Sequence, residues 1–169
     1  MILDIIAGDI THPDNRDDII IGMNVKLSEV TSIGLPFVNQ IDLKHALVPG
    51  SVLSFPFRDG RFLHMLICHE LGVGGWEGAA EHVRYGLDYL RHTEPLRSYS
   101  IVKIGSGKIG KRDGANVSEM IGAIANSNLP VVLYVYDAAA EATLQRVIEM
   151  PPLRASRAWH PVYGEERVH

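Results

Sequence analysis

Cysteine is the scarcest reactive residue: Cys68 is the single one in 169 residues. One thiol cannot form an internal disulfide and no Cys/His pair carries zinc spacing, so structural zinc is excluded and the composition suits a reducing compartment. Positive charge is also short. Sixteen Lys and Arg stand against 20 Asp and Glu, a formal charge of −4 with a pI near 6.0. That balance argues against nonspecific binding to a phosphate backbone, though a local basic loop can still hold a small anion. Long apolar runs are missing too. The best stretches, 62–68 and 129–136, are strand-sized and interrupted by His64 and Pro130, far from the roughly 18 residues that span a bilayer. The first nine residues lack a basic leader and carry Asp4 and Asp9, unlike a secretory signal. The expected location is the cytoplasm, with no membrane partner. There is no internal repeat and no low-complexity tract.

What is present fits one globular domain. The chain is 46% apolar and 21% charged, near the soluble average and long enough to bury its own core. β-Branched and aromatic runs bounded by Gly, Pro or Asp predict strands at 2–7, 18–22, 51–55, 61–68, 99–104 and 130–136. Those at 18–22 and 130–136 are apolar on both faces, as expected for a sheet covered on both sides. Helical periodicity predicts helices at 77–92, 114–127 and 138–149, with Asp113 and Asp137 as N-caps of the last two. A short helix is expected within 33–39. Strands and helices alternate through the second half, which implies an α/β/α sandwich around a central mixed sheet. The domain is placed at 1–150. Residues 151–169, with Pro151, Pro152 and Pro161, read as a tail lying on the surface or on a partner chain.

The segment Ile101-Val102-Lys103-Ile104-Gly105-Ser106-Gly107-Lys108-Ile109-Gly110-Lys111-Arg112-Asp113 carries the most chemistry. A strand runs into a glycine-rich loop and then a helix. Glycines let backbone N–H groups converge on an anion, and the helix start adds its positive end. Lys108, Lys111 and Arg112 add charge. The plain alternative is a solvated strand-to-helix turn. Gly105-x-x-x-x-Gly110-Lys111 also matches the first seven positions of a P-loop, but Arg112 stands where Ser or Thr would hold magnesium. At the end of the first strand, Asp9 is able to accept a hydrogen bond from an exocyclic amine. Taken alone, the motif is better explained by Asp9 capping its own turn.

Taken together, Gly8-Asp9-Ile10-Thr11 and the much later Ile104-Gly105-Ser106-Gly107-Lys108-Ile109-Gly110 resemble the macro domain family, whose members bind ADP-ribose. Gly22-Met23-Asn24-Val25 and Ser32-Ile33-Gly34-Leu35-Pro36-Phe37 resemble its first ligand loop. That turn, with Trp76 and Gly86-Leu87-Asp88-Tyr89-Leu90, looks most like the branch that includes de-ADP-ribosylating hydrolases. The resemblance covers residues 1 to about 137 in the family's order of elements. It implies that Asp9 and the Ile10 backbone meet the adenine. By the same resemblance, Gly105, Ser106, Gly107, Lys108, Ile109 and Gly110 wrap the diphosphate, and Asn24 and Gly34 lie near the distal ribose.

The departures fall where catalysis would be. The hydrolytic branch has a lysine after the strand before the long helix; here the sequence reads Ile67-Cys68-His69-Glu70-Leu71-Gly72. The acid expected inside the phosphate loop is Ile109, and Asn24 stands alone where many relatives have two asparagines. Asp113 and His69 are the remaining catalytic candidates, Asp113 weighed against a helix N-cap and His69-Glu70 against a solvated loop before Gly72-Val73-Gly74-Gly75. Cys68, Trp76 and Trp159 read as packing residues, His12 and His82 as surface histidines, and Asp14, Asp17 and Asp18 as a solvated acidic loop. No cofactor and no metal is expected. The expected function is binding of ADP-ribose or a related adenine nucleotide, with ADP-ribosylated macromolecules as partners. The alternatives are removal of ADP-ribose from protein or nucleic acid, and an interaction module with a vestigial cleft that forms homo-oligomers through its tail.

Overall fold

The computed structural model describes residues 1–29, 33–41 and 47–135. Along the chain run β1 (Ile2–Ala7), β2 (Asp18–Asn24), α1 (Leu35–Val38), β3 (Val52–Pro56), β4 (Phe62–His69), α2 (Ala79–Thr93), β5 (Tyr99–Val102), α3 (Lys108–Asp113), α4 (Val117–Asn126) and β6 (Val131–Val135). All six expected strands are present, in one sheet of order β1-β6-β5-β2-β4-β3. Only β3 runs antiparallel to its neighbour. The expected helix at 138–149, its cap Asp137, Trp159 and the tail at 151–169 lie outside the described residues.

Alternation along the strands builds the layers. Ile20, Leu66, Cys68, Ile101 and Leu133 face one side and pack with Val83 and Leu87 of α2 and Met120 and Ile124 of α4. Ile19, Ile21, Leu63, Met65 and Ile67 face the other, against Phe37 and Val38 of α1 and Ile10 of the β1–β2 connection. A sheet clad on both faces explains why β2 and β6 are apolar throughout. The fold is a three-layer α/β/α sandwich around a mixed sheet. Gly86 lets α2 approach closely, since a Cβ there would lie 2.7 Å from the Leu66 side chain.

Asp113 does not cap a helix. Gly114 adopts φ 81° and ends α3, its N–H returning to the Gly110 carbonyl. That turn divides the expected 114–127 helix from α3. α4 is instead capped by Asn116, whose side chain accepts the Glu119 N–H at 3.2 Å.

Within the acidic cluster Asp14 is exposed as expected, but Asp18 does not belong to a solvated loop. Asp18 is 2% exposed and accepts from His64 Nε2 at 2.8 Å, Arg97 Nη2 at 2.7 Å and the Phe62 N–H at 3.0 Å. Burial opposes its ionisation, but these bonds outweigh it and hold the carboxyl below the usual range. Ser54 Oγ meets His64 Nδ1 at 2.7 Å. The network ties β3 to the start of β4, with Asp18 opening β2 and Arg97 just ahead of β5. All the parallel strands therefore end at the opposite edge of the sheet, where α/β folds place ligands.

Candidate functional site

At that edge a cavity of about 400 Å³ is lined by Asn24 at the end of β2 and Glu29 beyond it, His69 and Trp76 around the end of β4, and Lys103, Gly105, Gly107, Lys108, Ile109 and Gly110 after β5. The loop's shape depends on two of its glycines. Gly105 sits at φ +89°, and a Cβ on Gly110 would lie 2.0 Å from the Gly105 carbonyl oxygen. The two ends of the loop therefore touch backbone to backbone. Ser106 points away from ligand work: its Oγ donates to the Lys103 carbonyl at 2.9 Å. No side chain caps the start of α3 at Gly107, so the first-turn N–H groups, which have no partner within the helix, remain as donors. Lys103 and Lys108 add positive charge to the lining.

Asn24 shapes the neighbouring loop. Its Oδ1 accepts the Lys26 and Ser28 N–H groups at 3.0 and 3.2 Å, and its Nδ2 donates to the Ser28 carbonyl at 2.6 Å. Leu27 and Glu29 hold left-handed φ values of 53° and 52°, a conformation that costs a non-glycine residue roughly 1–2 kcal/mol.

His69 belongs to β4 and is 6% exposed, which corrects its reading as part of a solvated loop. Its ring stacks on Trp76 with centroids 3.7 Å apart and planes at 12°. The Glu70 carbonyl, 2.9 Å from Nδ1, can only accept, so Nδ1 carries the proton and Nε2 is the basic nitrogen. Burial pushes the imidazole pKa down, which leaves it neutral at pH 7. Trp76 does more than pack: its Nε1–H is buried and has no hydrogen-bond partner.

Asp113, the other catalytic candidate, is fully engaged. Oδ1 accepts Arg112 Nε at 2.8 Å, and Oδ2 accepts Arg112 Nη2 at 3.1 Å and the Gly72 N–H at 3.0 Å. Arg112, with the Gly72 N–H behind it, holds this carboxyl below the ordinary range, the opposite of what a general base at neutral pH needs. Its work is mechanical: it fixes the 70–75 loop, which closes on itself through Glu70 N–H to Gly75 and Gly75 N–H to Gly72. Arg112 reaches across to Glu29 as well, at 3.1 and 3.2 Å.

Asp9 lies elsewhere. It lines a second cavity of about 750 Å³ with Thr11, Ile33, Pro36, Phe37, Pro56, Phe57 and Arg58. The two linings share no residue. Thr11 holds Asp9 Oδ1 through its N–H and hydroxyl at 2.9 and 2.7 Å, leaving Oδ2 open. These two bonds lower the Asp9 pKa. Ile10 is buried in the α1-side core, and Gly34 opens α1, its carbonyl accepting the Phe37 N–H at 3.0 Å. Ile10, Gly34, Ser106 and Asp113 line neither cavity.

Cys68 is buried and its thiol is pushed up to about 12 by desolvation, a packing residue as expected. His82 is half-buried, its Nδ1 donating to the Cys68 carbonyl at 3.1 Å. Among the described residues no cluster of His, Cys, Asp and Glu could hold a metal ion, and no helix is long and apolar enough to cross a membrane. Gly22, Met23, Ser28, Glu29, Trp76, Val102, Lys103 and Ile104 also line this cavity, though sequence reasoning gave none of them a ligand role. Lys103 had a visible signal in its place before the glycine loop; Glu29 had none.

No protein-family model and no curated protein matches the sequence. Solved structures do. The fold is similar to that of a Bacteroides thetaiotaomicron protein of unknown function, with a TM-score of 0.55, 16% identity, and coverage of 78% of this chain and 96% of that one. It is equally similar to a macrodomain protein from Streptomyces coelicolor, with a TM-score of 0.53, 15% identity, and coverage of 79% and 99%. At such identities the likeness shows the fold, which is that of a macrodomain.

Proposed function

We propose that this protein binds ADP-ribose or a closely related adenine nucleotide, with weak catalysis or none. The observation that carries the reading is the glycine loop, in which Gly105, Gly107, Lys108, Ile109 and Gly110 line the same cavity as Asn24 and Lys103. Phosphate oxygens accept from the loop N–H groups, the lysines offset their charge, and no metal is required. Asn24 holds its loop in place rather than donating to a ligand itself, and the Gly34 turn orients α1 beside the Asp9 cavity. There Asp9 Oδ2 would accept from the exocyclic amine of adenine, with Phe37 and Phe57 as apolar walls. The macrodomain likeness supports the ligand class, and the lack of a lysine in the segment after β4, residues 69–78, supports binding over turnover.

A hydrolase is the second reading, favoured by His69. Its unprotonated Nε2 at a cavity wall could take a proton from water or a hydroxyl, whereas Asp113 is held by Arg112 and Gly72. Calorimetry with ADP-ribose and AMP tests the first reading: micromolar binding of ADP-ribose, weakened by Asp9→Ala, supports it. Absence of heat up to about a millimolar, a ceiling near −4 kcal/mol, rejects it. Release of ADP-ribose from modified protein or nucleic acid, lost in His69→Ala and retained in Asp113→Asn, would establish the second.

A further inference from the structure

One group in the glycine-loop cavity has the wrong sign for an anion site. Glu29 lines it alongside Lys103 and Lys108, and a fixed carboxylate there opposes what the lysines attract. It is not left unpaired: its two oxygens accept from the two terminal nitrogens of Arg112, at 3.1 and 3.2 Å. This is the forked geometry that a guanidinium offers to carboxylate and phosphate alike. Arg112 lies just outside the lining, behind Glu29, on α3, the helix that continues the glycine loop, and Asp113 fixes its Nε edge at 2.8 Å. Glu29 reaches it only from a left-handed backbone, φ 52°, two residues after Leu27 at 53°. Arg112 and Glu29 side chains are 53% and 49% exposed, so the pair is weak and open to exchange.

We infer that Glu29 is a resident counter-anion: it occupies the guanidinium that a polyanionic ligand takes, and binding exchanges its carboxylate on Arg112 for a ligand phosphoryl group. The inference rests on the anion-binding reading of the cavity and adds Arg112 as a residue that selects for charge. The exchange breaks no covalent bond and moves no proton. A diphosphate, with oxygens to spare for both the loop N–H groups and the guanidinium, gains more from it than a monophosphate.

The test is a double-mutant cycle by calorimetry on the full chain, with ADP-ribose as the probe, using wild type, Glu29→Gln, Arg112→Gln and the double variant. Thermal melts verify that each is folded. Glu29→Gln is expected to bind about 3–10-fold tighter, with the larger gain at low salt. Arg112→Gln is expected to bind more weakly, and the double variant to lose the gain. If Glu29 merely repels the ligand through space, the gain survives in the Arg112→Gln background, and the exchange is overturned. Equal or weaker binding by Glu29→Gln overturns it too. Should none of the four bind ADP-ribose, the nucleotide reading fails and inorganic pyrophosphate becomes the probe. Tightening of pyrophosphate by Glu29→Gln through Arg112 then upholds the exchange, and absence of pyrophosphate binding overturns it.

Discussion

Replacing Gly110 with alanine probes the glycine loop by sterics alone. The added Cβ would lie 2.0 Å from the Gly105 oxygen, 2.6 Å from its carbonyl carbon and 2.9 Å from its Cα, against ordinary contact beginning at 3.4 Å. All three are backbone atoms, so no side chain can rotate away, and the loop must open by more than 1 Å. Gly105 has little freedom to retreat, because it holds φ +89° with Ala115 close behind it. Overpacking of this kind costs about 1–3 kcal/mol, and a backbone clash belongs at the upper end. A loss of about 2–3 kcal/mol lowers the melting temperature of a chain this long by about 4–12 °C. Displacing converging N–H donors by an ångström also removes hydrogen bonds to a bound phosphate, worth about tenfold or more in affinity at 1.4 kcal/mol per decade. The assay is a thermal melt and a calorimetric titration with ADP-ribose, run beside Gly107→Ala. A Cβ on Gly107 meets nothing within 4 Å, and its φ of −77° suits any residue, so that variant should melt within about 0.5 kcal/mol of wild type. If Gly110→Ala melts and binds like wild type, or if Gly107→Ala is equally costly, the loop does not have the tight closure described.

Asp18→Asn should destabilise the protein in urea by about 2–3 kcal/mol, below the 3–5 typical of a broken buried pair, because Arg97 is 34% exposed and keeps water as a partner. Since the folded Asp18 carboxyl titrates below the unfolded value near 3.9, its contribution is full above about pH 4 and disappears as pH falls through the lower folded value. The gap between variant and wild type should close there, and a gap that persists in acid would contradict the assignment. Asp113→Asn should speed hydrogen exchange at the Gly72 amide, which its Oδ2 holds at 3.0 Å, while leaving the global melt nearly unchanged; an unaltered Gly72 rate would sink the tethering role. His69 should titrate below pH 6.5 by NMR with the proton on Nδ1. The unfolded chain then binds a proton before the folded one, so stability falls as pH drops below about 6.5. A midpoint at or above 6.5 would refute its burial against Trp76.

Strands were the most legible part of this fold, because β2 and β6 are apolar on both faces and are bounded by Asp, Pro or Gly, a pattern that depends on local residues only. The split between α3 and α4 was harder. Asp113 ahead of an amphipathic run looks like a cap, yet Gly114 turns left-handed at φ 81° and ends one helix before the next begins. The signal for the true cap was present in Asn116-Val117-Ser118-Glu119, an Asn followed three residues later by Glu. Asp18 could not be placed from its neighbours, because its partners His64 and Arg97 lie 46 and 79 residues further along. The glycine loop was readable as an anion cradle from residue type and order. That its cavity holds Asn24, His69 and Trp76 but not Asp9 depends on how the 8–17 connection crosses the α1-side face, a tertiary matter that no local motif encodes.

The most direct test of the anion cradle is to follow backbone amide resonances of the ¹⁵N-labelled protein during titration with ADP-ribose. The account predicts that the Gly105, Gly107, Lys108, Ile109 and Gly110 amides move together, saturate with one dissociation constant, and are joined by the Trp76 indole N–H. Amides that stay fixed in the loop while the ligand saturates elsewhere, or that do not move at any ligand concentration, would contradict it.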